Sequence, residues 1–335
     1  MKLLAVLLPT YNSAHYLRCS IDSLLQQSFE DFDLYVYDDC STDDTGNLVD
    51  SYQDSRVNYR RNIENLGIAK TLNKGFEETH GSYKYIARMD ADDWCYPERF
   101  KKQLAFLESN LDVGMCGTQG YWVNAIDELP KVNWTYPLFH EDIRINLLFA
   151  ASFGHSSVVF RSSSLSLTSP YDPDVSTCED WDLWTRLVKE ITMANLPEFL
   201  MQYRIDTESN HRSEAHKELH LTERSKILSN YWAQFGITLT PTAVYDYYYG
   251  QRQLKTLIFI KDLKQLLLIF NTLDKNALTT LDSEMRSYFR YKFLRFALGF
   301  WKRSKVSRYS FRVWLTIFKN VYFANPLTII KSMMG

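Results

Sequence analysis

The chain has 335 residues, enough for roughly two domains at about 150 residues each. Hydrophobic residues at 45% and charged residues at 23% exclude wholesale disorder, and 12 Gly with 9 Pro exclude a collagen-like chain. The net charge of −2 joins two unlike parts: residues 251–335 hold 16 Lys+Arg against 4 Asp+Glu, which leaves 22 basic and 36 acidic residues in 1–250. An acidic catalytic or binding body followed by a basic tail is the pattern implied.

Residues 3–8 form an apolar run too short for a signal-peptide core and read as a buried first strand. A helical pattern follows over 16–27. Strands are then expected at 32–37, 57–60, 83–88 and 113–118, alternating with helices at 45–52, 68–78 and 98–109. This rhythm predicts an α/β fold with a mainly parallel sheet flanked by helices. Residues 156–160 and 199–204 read as strands, 179–190 as a helix, and the region after about 213 as long helices. No run of about 18 apolar residues suggests a spanning helix. The 5 cysteines form no CxxC pair, which points to a reducing compartment rather than to disulfides or structural zinc.

In parallel sheets ligands sit beyond the carboxyl ends of the strands. Asp90-Ala91-Asp92 follows the fourth strand, and in extended chain its two carboxylates point to one side. Such a pair suits Mg²⁺ or Mn²⁺ shared with a diphosphate. The same residues also read as a solvated turn, with Asp93 as a helix cap. Asp38-Asp39 ends the second strand, where an acceptor carboxylate suits a uracil N–H or a ribose, and Tyr11 offers a ring for a base. Asp43 there reads as a cap for the next helix. Residues 65–70, with Gly67 and Lys70, open a helix whose N-terminus suits phosphate or ribose, or form a plain turn. Neither GxGxxG nor GxxxxGK[ST] follows the first strand, which disfavours dinucleotide and P-loop chemistry.

Glu179-Asp180-Trp181 opens a helix. Its acids favour the helix dipole, and Asp180 also fits a general base that takes a proton from a sugar hydroxyl. Trp181 and Trp184 are apolar walls or core. His155, Arg204 and His211 are candidates to border the acceptor.

The segments LLPTYNSAHYLRCSIDSLLQQSFEDFDLYVYDDCSTDDT, NLGIAKTLNKGFEETHGSYKYIARMDADDWCYPERF and CEDWDLWTRL, in this order, resemble glycosyltransferase family 2 over roughly residues 1–205. The resemblance implies a GT-A fold in 1–212, with a nucleotide-binding half (1–120) and an acceptor-binding half (121–212), and a helical basic region in 213–335. It implies an inverting, metal-dependent transfer from a nucleotide sugar, most often a UDP-sugar. Pro9 and Tyr11 would line the nucleobase pocket, Asp39 would bind uracil, and Gly67 and Lys70 would lie near the nucleotide. Asp90 would face the ribose, Asp92 would ligate Mn²⁺ or Mg²⁺, and Asp180 would be the base with Glu179 beside it. FGHSSVVFR and the later YR look like bacterial enzymes of surface polysaccharide synthesis. Cys40 stands where the family usually has a smaller residue.

Two competing classes are nucleotidyl transfer, which lacks its Gly-rich basic loop here, and a non-catalytic nucleotide-sugar or glycan-binding protein. Residues 285–335 carry 11 Lys+Arg, no Asp or Glu, and many interleaved aromatics. This fits helices on an anionic membrane, and also a packed helical subdomain or a nucleic-acid binder. The resemblance favours the membrane. The partners expected are a nucleotide-sugar donor, a glycan or lipid-linked acceptor and an anionic surface, with no nucleic acid, at the cytoplasmic face of the plasma membrane.

Overall fold

The computed structural model describes residues 2–124, 132–166, 168–205, 214–234, 241, 242 and 244. Two compact units divide them. The first, 1–143 with 151–213, opens with β1 (Leu4–Thr10), α1 (Ala14–Leu25), β2 (Phe32–Asp38), α2 (Thr45–Asp50), β3 (Val57–Arg61), α3 (Ile68–Thr79) and β4 (Tyr85–Arg88). It continues through β5 (Trp94–Cys95), α4 (Arg99–Ser109), β6 (Val113–Val123), β7 (Val132–Trp134) and the start of α5 (His140–Asn146). It closes with β8 (Val159–Arg161), α6 (Glu179–Leu187) and β9 (Thr192–Arg204). The second unit contains 144–150 and the described residues from α7 (Glu214–Ala233) onward. Within it, α7 is tied to 144–150 by Tyr231 Oη donating to the Arg144 carbonyl (2.8 Å) and Trp232 Nε1 to the Leu148 carbonyl (3.0 Å). The expected tail at 285–335 lies outside the described residues.

Among the described residues nine strands form one sheet, ordered β3-β2-β1-β4-β8-β6-β9-β5 with β7 against β6. The first four are parallel. β1 is buried along its whole length because helices cover both faces of the sheet. Leu4, Val6 and Leu8 pack in one core with Leu17, Ile21 and Leu24 of α1 and Phe100 and Leu104 of α4. Leu7 points the other way, toward α3, where Gly75 leaves room: a Cβ there would sit 3.0 Å from Leu7. Each buried Leu contributes about 1.5–3 kcal/mol relative to exposure.

The second half departs from the sequence rhythm. The strand expected at 113–118 runs to Val123 and is separated from β4 by β8, which is antiparallel to both. The strand expected from 156 begins only at Val159, because His155–Ser157 form a short 3-10 turn. β9 starts at Thr192 rather than 199, pairing in parallel with β6 through register shifts. α6 stops at Leu187 rather than 190. The consequence is that the turn after β4 is enclosed by the ends of β8 and β9, which come from far along the chain.

Candidate functional site

The turn after β4 is locked by residues from four elements. Ser20 of α1 donates to the carbonyls of Ala91 (2.7 Å) and Asp93 (2.6 Å). Arg88, fully buried, grips the Asp90 carboxylate with both terminal nitrogens and also reaches Ser156 Oγ at 3.1 Å. That hydroxyl accepts the Asp90 backbone N–H at 3.0 Å, lies 2.9 Å from Asp90 Oδ2 and contacts the Asp93 carboxylate. Arg204, at the end of β9, donates its backbone N–H to Asp93 Oδ1 (3.1 Å) and its Nε to the Asp92 carbonyl (3.2 Å), with its guanidinium 4.4 Å from the Tyr16 ring centroid. Asp93 is therefore no helix cap: α4 begins six residues later, at Arg99, and Asp93 is buried between Ser156 and Arg204.

Asp92 keeps a half-buried carboxylate. Burial, then the neighbouring charge of Asp90, pushes its pKa up to about 6. An oxygen donor in this position fits a hard divalent cation, which prefers one or two carboxylates plus phosphate and water oxygens. Among the described residues no three His, Cys, Asp or Glu side chains converge as a closed metal shell.

Beyond β2, Asp39 is buried and holds the loop before α3. Its carboxylate accepts N–H bonds from Leu66 and Gly67, each at 2.8 Å, and from Asn62 Nδ2 at 2.8 Å. Gly67 has φ 83 and ψ 161, a region open essentially to glycine alone. Lys70 is exposed one turn on, Tyr11 is 50% exposed at the end of β1, and Pro9 is buried within that strand. Asp43 accepts the first N–H of α2 from Thr45 (3.0 Å), as expected, and also that of α1 from Ala14 (3.1 Å). It thereby joins the two loops that flank Tyr11.

The second acidic centre lies at the start of α6. Glu179 is buried, and burial, then the charge of Asp180, raises its pKa to about 8. Asp180 is half-buried, accepts the Trp181 N–H at 2.7 Å, and is raised first by burial, with Asp90 adding to the effect. The two centres thus share one field, in which Asp90 also raises Glu179. His155 sits between them: Nε2 pairs with Tyr171 Oη at 2.8 Å, and Nδ1 lies 3.6 Å from Glu179 Oε1, too long for a hydrogen bond. Burial, then Arg88, holds His155 well below its usual pKa, so the ring is neutral.

Of the residues singled out from sequence, Asp90, Asp92, His155, Glu179, Asp180 and Arg204 are joined by these contacts and fields. Pro9, Tyr11, Asp39, Gly67 and Lys70 belong to the adjoining edge. Trp181 is 6% exposed, and Trp184 is core, stacked on Phe160 with centroids 6.0 Å apart. His211 lies outside the described residues. Sequence reasoning missed Arg88, and it took in Ser156 only as part of the segment FGHSSVVFR. The signal for Arg88 was a charge inside an otherwise apolar strand, two residues before Asp90 and hence on the same side.

Comparison with known proteins agrees with this geometry. The family model described as "Glycosyl transferase family 2" matches residues 5–166. The O-antigen biosynthesis glycosyltransferase WbnJ of Escherichia coli is 32% identical over 222 residues, covering 64% of this chain and 84% of that protein. Among solved structures, S. aureus TarS in complex with UDP superposes with a TM-score of 0.56 at 16% identity, over 96% of this chain and 92% of TarS. A mannosyltransferase from Pyrobaculum calidifontis in complex with GDP-Man and Mn2+ gives 0.52 at 15% identity, over 89% and 86%. The architecture is the GT-A fold, and the chain belongs to glycosyltransferase family 2.

Proposed function

We propose that the protein is an inverting, metal-dependent transferase that moves a sugar from a nucleotide sugar, preferentially a UDP-sugar, to a hydroxyl of a glycan or lipid-linked acceptor in bacterial surface-polysaccharide synthesis. The observation that carries this reading is the contiguity of the two carboxylate centres: Ser156 bonds Asp90 and Asp93, and its neighbour His155 lies 3.6 Å from Glu179, beside the candidate base Asp180. The O-antigen relative and the UDP-bound neighbour support the substrate class.

In this mechanism Tyr11 and Pro9 border the base, Asp39 orders the Asn65–Gly67 turn against the nucleotide, and Lys70 adds positive charge near it. Asp92, with the turn fixed by Asp90 and Ser156, would hold Mn²⁺ or Mg²⁺, and when bound the cation supplies positive charge to the leaving diphosphate. Asp180 accepts the proton of the acceptor hydroxyl as its oxygen bonds to the anomeric carbon. The bond from that carbon to the diphosphate oxygen breaks, its electrons leave with the nucleoside diphosphate, and the configuration inverts. A raised pKa makes Asp180 a stronger base than an ordinary carboxylate. Glu179, held largely protonated near neutral pH, keeps a second negative charge away from Asp180.

Residues 285–335 would bring this site to an anionic membrane at the cytoplasmic face. Among the described residues no helix is long and apolar enough to cross a membrane. Incubation of the full chain with a panel of UDP- and GDP-sugars, with and without Mn²⁺, tests the reading. Slow, Mn²⁺-stimulated release of UDP from at least one UDP-sugar is expected; no hydrolysis of any donor would leave a binding protein instead.

A further inference from the structure

Residues 170–171 are pinned between two helices that lie far apart in sequence. Asn73 of α3 donates Nδ2 to the Tyr171 carbonyl (2.8 Å) and accepts the Tyr171 N–H on Oδ1 (2.9 Å), so one buried amide satisfies both backbone groups of that residue. Arg186 of α6 donates Nη2 to the Pro170 carbonyl at 2.8 Å. The Tyr171 ring is 1% exposed and meets Phe76 of α3 edge-on, with centroids 6.0 Å apart. Backbone and ring are both held, which fixes where the phenol points.

That phenol reaches one group. Tyr171 Oη lies 2.8 Å from His155 Nε2 and has no other hydrogen-bond partner among the described residues. The His155 ring stands edge-on to Trp184 of α6, with centroids 5.9 Å apart, and the next residue is Ser156, which holds the Asp90 backbone. The groups facing the imidazole are thus the Tyr171 phenol on one nitrogen, Glu179 on the other and the Arg88 charge nearby.

These contacts decide where the imidazole carries its hydrogen. Burial, then the charge of Arg88, keeps the ring neutral, so only one nitrogen is protonated. If that nitrogen were Nε2, the phenol would have to accept, and its own O–H would be buried with no acceptor, which native structures avoid. If the phenol donates to Nε2, the hydrogen sits on Nδ1, which faces Glu179 Oε1 across 3.6 Å. Each hydrogen then points at an atom able to take it. A carboxyl oxygen accepts whether or not the other oxygen of Glu179 carries a proton. The gap closes to hydrogen-bond length with a shift of about 0.5 Å, and contacts in catalytic sites commonly tighten when substrate binds.

We infer that Tyr171 is a positioning residue: by donating to His155 Nε2 it fixes the Nδ1–H tautomer, and His155 then holds the Glu179 carboxyl beside Asp180. This rests on the transferase reading for the role of Asp180. The phenol is buried and acts only through the imidazole.

The test uses the full chain with isotopically labelled histidine. Long-range proton–nitrogen correlation spectra separate the two neutral tautomers from each other and from the imidazolium, and His155→Asn identifies the His155 signals among the 7 histidines. Near neutral pH the wild type should carry the His155 hydrogen on Nδ1. Hydrogen on Nε2, or on both nitrogens, overturns the inference. Tyr171→Phe keeps the ring and removes only the donor, and in it the preference for Nδ1–H should be lost. Mn²⁺-stimulated release of UDP from the UDP-sugar hydrolysed fastest supplies the kinetic readout, with water in place of the acceptor hydroxyl. Tyr171→Phe should lower kcat by about fivefold or more, the scale of one hydrogen bond, with the donor KM unchanged. His155→Asn, whose amide N–H stands close to the Nδ1 position, should keep more turnover than His155→Ala. A wild-type kcat in folded Tyr171→Phe overturns the positioning role, as does equal turnover in the two His155 variants. Where Tyr171→Phe does not fold, the wild-type tautomer decides. Failure of every donor to hydrolyse would defeat the transferase reading, while the tautomer is still read from the wild type.

Discussion

The hydroxyl of Ser156 accepts the backbone N–H of Asp90 at 3.0 Å, across 66 residues of sequence. The same oxygen lies 3.1 Å from Arg88 Nη1, so one buried serine sets both the backbone and the ion pair of the acidic turn. A residue far from the Asp-Ala-Asp triplet thus governs where the Asp92 carboxylate stands.

Ser156→Ala should therefore disturb the turn without touching a donor directly. Leaving the buried Asp90 N–H and the Asp93 carboxylate short of a partner costs roughly 1–3 kcal/mol. The expected result is a lower Tm and weaker Mn²⁺-dependent UDP binding by calorimetry. Binding equal to the wild type would show that Arg88 and Ser20 hold the turn unaided.

Asp180→Asn separates binding from chemistry. The amide cannot take the acceptor proton, so transfer should fall by about 10²–10⁴, the usual contribution of a general base. UDP affinity should stay close to that of the wild type. A variant with full turnover would remove Asp180 from the mechanism.

Glu179 makes stability depend on pH. Its pKa stands at about 8 in the folded chain against an ordinary value of 4.5, first through burial and then through Asp180. The folded state binds this proton more tightly, so stability is favoured while Glu179 is protonated and declines as pH rises from about 4.5 to about 8. Above that range the loss is complete. Glu179→Gln cannot ionise, and its urea midpoint should gain on the wild type between pH 5 and pH 8.5; a constant difference across that range would contradict the assignment.

Asp39→Ala should loosen the turn before α3. It strands the N–H groups of Leu66 and Gly67, and cleavage of residues 62–67 by a nonspecific protease should accelerate severalfold, in step with a stability loss of about 1–3 kcal/mol. Gly67→Ala should produce a similar loss through its backbone alone, since φ 83 with ψ 161 excludes a side chain. Unchanged protection in both variants would mean that the loop is held elsewhere.

The parallel half of the fold was legible from the chain because its signals are local. Each apolar run at β1, β2 and β4 is fully or almost fully buried and bounded by polar residues, so its limits fall within one or two residues of expectation. The antiparallel half was not. β5 and β7 are two and three residues long, too short to show a period. β9 contains Pro197, which cannot donate to a ladder, and the strand accommodates it through its register shifts against β6.

The same division holds at the site. Which carboxylates stand at strand ends and helix starts is readable locally, because period-two alternation and the βα order place them there without reference to distant residues. Tertiary structure alone decided what each one does. It turned Asp93 from a cap into a buried partner of Ser156 and Arg204, gave Asp39 a loop to hold, and brought Asp90 into the field of Asp180. The physical reason is that burial and Coulomb fields depend on distances between segments from 28 to 111 residues apart, which exist only once the chain has folded back on itself: α3 against the end of β2 for Asp39, and β8 and β9 against the turn after β4 for the rest.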